Sequence, residues 1–392
     1  MKITAQFPQD LLQASIDRRM EYFVKEVIVD HPILHEKLDE ADQQAYPLLE
    51  KPLILLLGGA GVGKTALLNK LVERRVSRRA SEMVRNRQIV PAILVEVRAP
   101  DKGGFRFAPL YRDALAQMSA PLIEQALPFV ERVAREKLIR SIAVEQSRQR
   151  LSPDALEQRF SQNLIERQVE VACFDEAINI FKVGRVRSER DRIEQLREQA
   201  DKLKTFGNTT PASLVLAGAY DFFELTLSSA QIVRRSVIVH MEPYTMQEVS
   251  LRGFVEALNG LLSHLPIRHE INASEHATEL FLQSLGCVGL LKNILSEALL
   301  RALATGKPLT MHLVRAHYFS AAQLGVMRRE MEVGIKRVRE IMTNSQLARN
   351  AEHTVNLPAL PEKRANRPLL PGETSPSHRH DATNKWAGDE SV

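Results

Sequence analysis

Five short apolar runs interrupt a chain that is otherwise written in helical period. They are Leu53–Leu57, Ile89–Val97, Val169–Phe174, Ser213–Ala217 and Ser236–Met241. Each is strand-sized and continuous rather than alternating, and long charged segments separate them. That pattern predicts a parallel sheet covered on both faces by helices, an α/β core over residues 51–242. From 243 to 342 no strand is expected. Apolar positions in Val249–Leu262, Ala277–Leu285, Leu290–Leu303 and Leu313–Met327 recur at helical spacing, so this stretch reads as an all-helical lid. Residues 1–50 are polar, with helix expected around Leu11–Val29 and again in HPILHEKLDEA from His31. Beyond 342 the period is lost and prolines accumulate at 358, 361, 368, 371 and 376, so residues 343–392 read as a disordered tail. No internal repeat is present.

The first apolar run feeds Gly58-Gly59-Ala60-Gly61-Val62-Gly63-Lys64-Thr65, with Ala66 opening a helical ALLNKLVERR. This is G-x-x-x-x-G-K-[ST] in a strand–loop–helix setting. Glycines let the backbone curl so that successive N–H groups face phosphate oxygens, and the helix N-terminus adds positive potential. Lys64 can reach the β- and γ-phosphates and the Thr65 hydroxyl can ligate magnesium, so ATP and Mg2+ are the expected cofactors. The third run, Val169–Phe174, ends in Asp175-Glu176. A carboxylate at that strand end suits the metal shell, and the next can polarise an attacking water. Asp175 is therefore assigned to magnesium and Glu176 to water activation, the chemistry of an ATPase. Arg234-Arg235 precede the fifth run. With the sheet in chain order, the pair would lie on the domain flank, where an arginine can serve a neighbouring subunit's nucleotide.

Composition narrows the classes. The chain has 392 residues, 44% hydrophobic and 26% charged, which excludes a wholly disordered or fibrous protein. No apolar run approaches the ~20 residues of a membrane span, and MKITAQFPQD lacks the features of a signal peptide. The two cysteines, Cys173 and Cys287, are isolated, which excludes a disulfide framework and a Cys-rich zinc site. A cytoplasmic location without membrane attachment is expected. The net charge of +5 permits nucleic acid as a partner. Lys70, Arg74, Arg75, Arg78, Arg79, Arg85 and Arg87 read more simply as a solvated helix face than as a phosphate-contacting surface. His31, His35, His378 and His380 show no zinc spacing, and the single tryptophan, Trp386, lies in the tail.

Together, the phosphate loop, the Asp-Glu strand, the arginine pair and the helical lid resemble an AAA+ ATPase. The more specific likeness is to the transposition regulators TnsC and TniB, over about residues 15–305. It rests on VEVRAPDK at Val95–Lys102, LKTFGNTTPASLVLAGAYDFF at Leu203–Phe223 and QIVRRSVIVHMEPY at Gln231–Tyr244. The resemblance implies ATP-dependent homo-oligomers, rings or helical filaments, wound on double-stranded DNA without sequence preference. They would link a target-selector protein to the transposase. By position, Arg234 or Arg235 becomes the arginine finger, and Lys102 and Arg106, in RAPDKGGFRF, become the DNA contacts. The sensor at the end of the fourth strand falls at Ala219 or Tyr220, where the family has a small polar residue. The lid sensor, commonly arginine, falls at Lys292, which offers a point charge to the nucleotide. A helicase-loader or replication-initiator relative is the alternative among ATPases. A nucleotide-gated scaffold in secretion or defence is the alternative outside catalysis.

Overall fold

The computed structural model describes residues 6–46, 53–100, 103–119, 141, 151–185, 188–227, 232 and 236–350. The chain divides into two compact units, residues 1–340 and 341–392. Arg234, Arg235 and Lys102, and all but 343–350 of the expected tail, lie outside the described residues.

All five apolar runs become strands: β1 Leu53–Leu57, β2 Ala92–Glu96, β3 Val171–Asp175, β4 Ser213–Gly218 and β5 Ser236–His240. They form one parallel sheet in the order β2-β3-β4-β1-β5. Leu53 stands level with Leu214 of β4 on one side and Ser236 of β5 on the other. A sheet in chain order is thus not what forms, because β1 is inserted between β4 and β5. The helix after it, α3 (Lys64–Arg85), crosses β4 and β3 to deliver the chain to β2. That crossing carries the start of α3 towards the C-terminal end of β3. Leu53–Leu57 are buried throughout, as a central strand with both faces covered requires.

On one face α3 packs Leu67, Leu68 and Leu71 onto Ile54, Leu56 and Val215. The helix α2 (Pro32–Gln44) joins the same core through Leu34, Leu38 and Ala41. It starts at Pro32, whose missing N–H costs nothing at a first turn. Among the described residues the next helices in chain order are α4 (Phe107–Ser119), α5 (Pro153–Glu166), α6 (Glu189–Thr209) and α7 (Tyr220–Leu227).

A second core is all-helical: α8 (Glu248–Ser263), α9 (Ala273–Ser284), α10 (Val288–Thr305) and the short α11 (Met311–Arg315). The N-terminal segment packs into this core. Phe7, Leu11, Phe23 and Val27 are buried with Phe254, Leu291 and Leu295. The helix expected over Leu11–Val29 is broken into a 3-10 turn (Gln9–Gln13), α1 (Ile16–Glu21) and a π-turn (Tyr22–Glu26). The expected Leu313–Met327 helix is also two pieces. Ser320 starts the final helix, α12 (Ala321–Asn350), with a reciprocal cap: its hydroxyl accepts from Gln323 N–H and Gln323 Oε1 accepts from Ser320 N–H. Helix α12 runs beyond 342, so residues 343–350 of the expected disordered tail are helical. The sequence there, TNSQLARN, holds neither proline nor glycine to stop it. Among the described residues no helix is long and apolar enough to cross a membrane.

Candidate functional site

At the C-terminal end of β1 the glycine loop turns through two left-handed positions, Gly61 (φ +74°) and Gly63 (φ +114°), before α3 begins at Lys64. Any side chain is strained in that region of φ. Gly61 is also needed for space. Its carbonyl accepts the N–H of Gly289 at 2.8 Å, and a Cβ on Gly61 would meet Leu290 at 2.7 Å. The first turn of α10 is therefore locked to the loop, backbone against backbone.

The Lys64 ammonium donates to the carbonyls of Gly58 (2.8 Å) and Gly59 (3.0 Å). Burial lowers its pKa, and the carboxylates of Asp175, Glu176 and Glu330 oppose that shift. One residue on, Thr65 Oγ1 donates to Asp175 Oδ2 at 2.6 Å. Those two residues are 110 apart in sequence, and α3's crossing of the sheet brings them together. A hydroxyl beside a carboxylate at the mouth of a glycine loop is the donor set that magnesium takes when it bridges phosphates.

Glu176 is exposed and takes a left-handed backbone (φ 52°, ψ 41°), uncommon for a residue with a side chain. Its N–H is held by Asp175 Oδ1 at 2.9 Å and its carbonyl by Asn179 N–H at 3.0 Å. Asn179 in turn donates its side-chain amide to Val97 O at the end of β2 (2.7 Å). The strained turn is thus fixed from both sides, and it presents the Glu176 carboxylate to solvent beside Asp175.

Other expected site residues are placed differently. Lys292 does not join the phosphate loop. Its ammonium caps the π-turn, donating to Val24 O (2.9 Å) and Val27 O (2.7 Å) near the Phe23 ring, and burial pulls its pKa down to about 8. The lid residue that meets the loop is Gly289. At the end of β4, Tyr220 is buried and its hydroxyl pairs with His240 Nε2 at 3.2 Å. His240 Nδ1 faces Glu242 at 3.3 Å, and Glu242, with a pKa lowered to about 2, binds Arg339 of α12. Burial works against that lowering, and the hydrogen bonds from His240 and Arg339 outweigh it. This chain of four residues was not legible in the sequence, since its members come from three separate elements.

Arg106 is exposed just before α4, and Phe105 N–H is held by Lys182 O at 2.7 Å. The arginine run on α3 is a solvated face only in part, with Arg78 and Arg85 exposed and the others drawn into ion pairs. Arg75 is 4% exposed and paired with Asp42 (2.8 Å) and Glu170 (3.1 Å). Arg74 reaches Asp39, Arg78 reaches Asp42, and Arg79 reaches Glu82 and Glu170.

No curated protein matches the sequence. Among solved structures, the chain is similar to the Walker-type ATPase of Pyrococcus abyssi (18% identity, TM-score 0.42, covering 83% of this chain and 77% of that one). It is also similar to the ORC1 protein of Aeropyrum pernix in complex with DNA (17%, TM-score 0.43, 83% and 69%). A third is domain III of the replication initiation protein DnaA of Thermotoga maritima (13%, TM-score 0.39, 76% and 95%). Residues 49–226, which carry the phosphate loop, the Asp175-Glu176 turn and strands β1 to β4, match the family model described as AAA domain.

Proposed function

We propose that the protein is an ATP-dependent, DNA-binding regulator of transposition that hydrolyses ATP to ADP and phosphate. The observation that carries the ATPase part is the 2.6 Å pairing of Thr65 with Asp175 beside Lys64, inside the span that matches the AAA domain. In this reading the N–H groups of Gly59 to Ala66 hold the phosphates and the Lys64 ammonium neutralises the β- and γ-oxygens. Thr65 and Asp175 hold Mg2+, which when bound withdraws charge from those oxygens. Glu176, held in its strained turn, takes the proton of the attacking water. Arg234 or Arg235 of a neighbouring subunit supplies the remaining positive charge. The transposition part rests on the likeness of the three sequence stretches to TnsC and TniB. It brings duplex DNA, a transposase, a target selector and a homo-oligomer as partners.

A duplex of arbitrary sequence should bind in the presence of Mg2+ and a non-hydrolysable ATP analogue. Phosphate contacts release counterions, so affinity should fall steeply with salt. Lys102→Ala with Arg106→Ala should weaken all duplexes alike and lower the salt slope by roughly one unit per lost contact. Titrating labelled duplex at several salt concentrations measures both. Absence of DNA binding by the wild-type protein would sink the transposition reading, while Lys64→Ala retaining wild-type ATP affinity would sink the nucleotide reading.

A further inference from the structure

Helix α12 lies against the phosphate loop. Met331, 6% exposed, sits so close to Gly59 that a Cβ there would fall 2.8 Å from Met331 Cγ. The thioether also reaches across to Cys287, just ahead of α10, with the two sulfurs 3.7 Å apart. One turn further along, Gly334 lets the helix ride on the ring of Tyr220, where a Cβ would be 2.1 Å from Cγ. Two ion pairs then fasten it: Arg337 to Glu224 of α7 (3.1 Å) and Arg339 to Glu242 after β5 (2.8 Å).

This packing bears on the groups that a triphosphate needs. Gly59 supplies one of the two carbonyls that hold the Lys64 ammonium. Glu330, next to Met331, adds a negative charge to the field at Lys64. An apolar side chain thus packs on the loop and an extra carboxylate adds to the field at Lys64, and both disfavour a highly anionic ligand there. The same helix is only lightly held. A cavity of about 430 Å3 remains between α7 and α12, lined by Phe223, Val326 and Val333. Val326 and Val333 are each 65% exposed, and Glu224 and Arg337 are both about half exposed, where an ion pair contributes little.

We propose that α12 is an autoinhibitory strap: with Met331 seated on Gly59 the loop does not take up ATP, and release of the helix opens it. The inference rests on the nucleotide reading above. Apparent ATP affinity is then the intrinsic affinity multiplied by the fraction of molecules with the strap released, so anything that shifts that fraction shifts binding in proportion.

The strap can be locked and loosened in the full-length chain. Glu224→Cys with Arg337→Cys places two thiols at exposed positions, while the native Cys173 and Cys287 are buried. Bridging the pair with a short, reductively cleavable bifunctional reagent should weaken binding of a fluorescent ATP analogue by about tenfold or more, and cleavage should restore it. Equal affinity before and after bridging would overturn the strap. Arg337→Glu, at the half-exposed pair, should act in the opposite sense, tightening binding by about threefold or more with little change in melting temperature. Unchanged or weaker affinity in that well-folded variant would also overturn it. If the wild type, the unbridged protein and the loosened variant all fail to bind the analogue, the nucleotide reading itself falls, and the strap with it; binding by the loosened variant alone is what a tightly seated strap gives.

Discussion

His31 joins the two cores by accepting rather than donating. Its Nδ1 receives the N–H of Leu34 (3.3 Å) at the start of α2 and lies 2.9 Å from the hydroxyl of Tyr244, whose ring packs in the lid core. Protonation would place a donor against a donor. Burial, with His35 nearby, lowers its pKa to about 4 despite the opposing field of Asp30. The unfolded value is about 6.5, so below that pH the unfolded chain binds a proton that the folded chain refuses. Stability is therefore full above about pH 6.5 and falls as the pH drops towards 4. Between pH 7 and 5 the loss should be about 2 kcal/mol, read from urea unfolding of wild type against His31→Gln. Parallel curves for the two proteins would show that His31 titrates alike in both states.

At the scale of elements, the arginine run on α3 turns a charged stripe into a fastener. Arg75 donates to Asp42 O at 2.7 Å as well as pairing with the carboxylates of Asp42 and Glu170, tying α2 and the residue before β3 to one helix. Asp42 and Arg75 are both nearly inaccessible, so removing either takes the buried partner from the other and leaves it to its remaining ion pairs. Asp42→Ala should cost about 2–3 kcal/mol, since buried Arg75 is left with Glu170 as its one carboxylate, while Arg74→Ala should cost less than about 1 kcal/mol. Chemical-denaturant midpoints give both figures. Similar costs for the two variants would mean that burial adds nothing to the pairing. Lys292 acts in the same way for the N-terminal segment, where its three-donor ammonium satisfies carbonyls that the π-turn leaves open.

At the scale of the whole molecule, the proposed chemistry is shared between copies. Arg234→Ala with Arg235→Ala should leave ATP bound but not hydrolysed. Glu176→Gln should bind ATP and Mg2+ and stall with DNA held. Mixing the two should recover part of the turnover, because some interfaces pair an intact finger with an intact Glu176. Phosphate release measured across mixing ratios tests this. A flat baseline in mixtures shown to co-assemble would assign the arginines to one chain's own fold.

What the residues determined by themselves is what depends on neighbours in sequence. Continuous apolar runs of strand length between charged segments suit a sheet covered on both faces, so the five strands follow from the pattern along the chain, although β2 and β5 come to lie at its edges. Gly61, Gly63, Lys64 and Thr65 must be adjacent to wrap a phosphate, and Asp175 and Glu176 must end a strand, so that chemistry is local and legible. Tertiary structure decided everything that depends on which surfaces meet. Periodicity says that a face is buried, not against what. The motifs put Thr65 and Asp175 on one magnesium, but the strand order that brings them to 2.6 Å, with β1 between β4 and β5, is not given by periodicity. The same holds for charge, because a side chain's partners are set by packing rather than spacing. That is why Arg75 within an arginine stripe became a buried clamp and Lys292 turned to the N-terminal segment. It is also why the helix leading into the expected tail came to rest on Gly59.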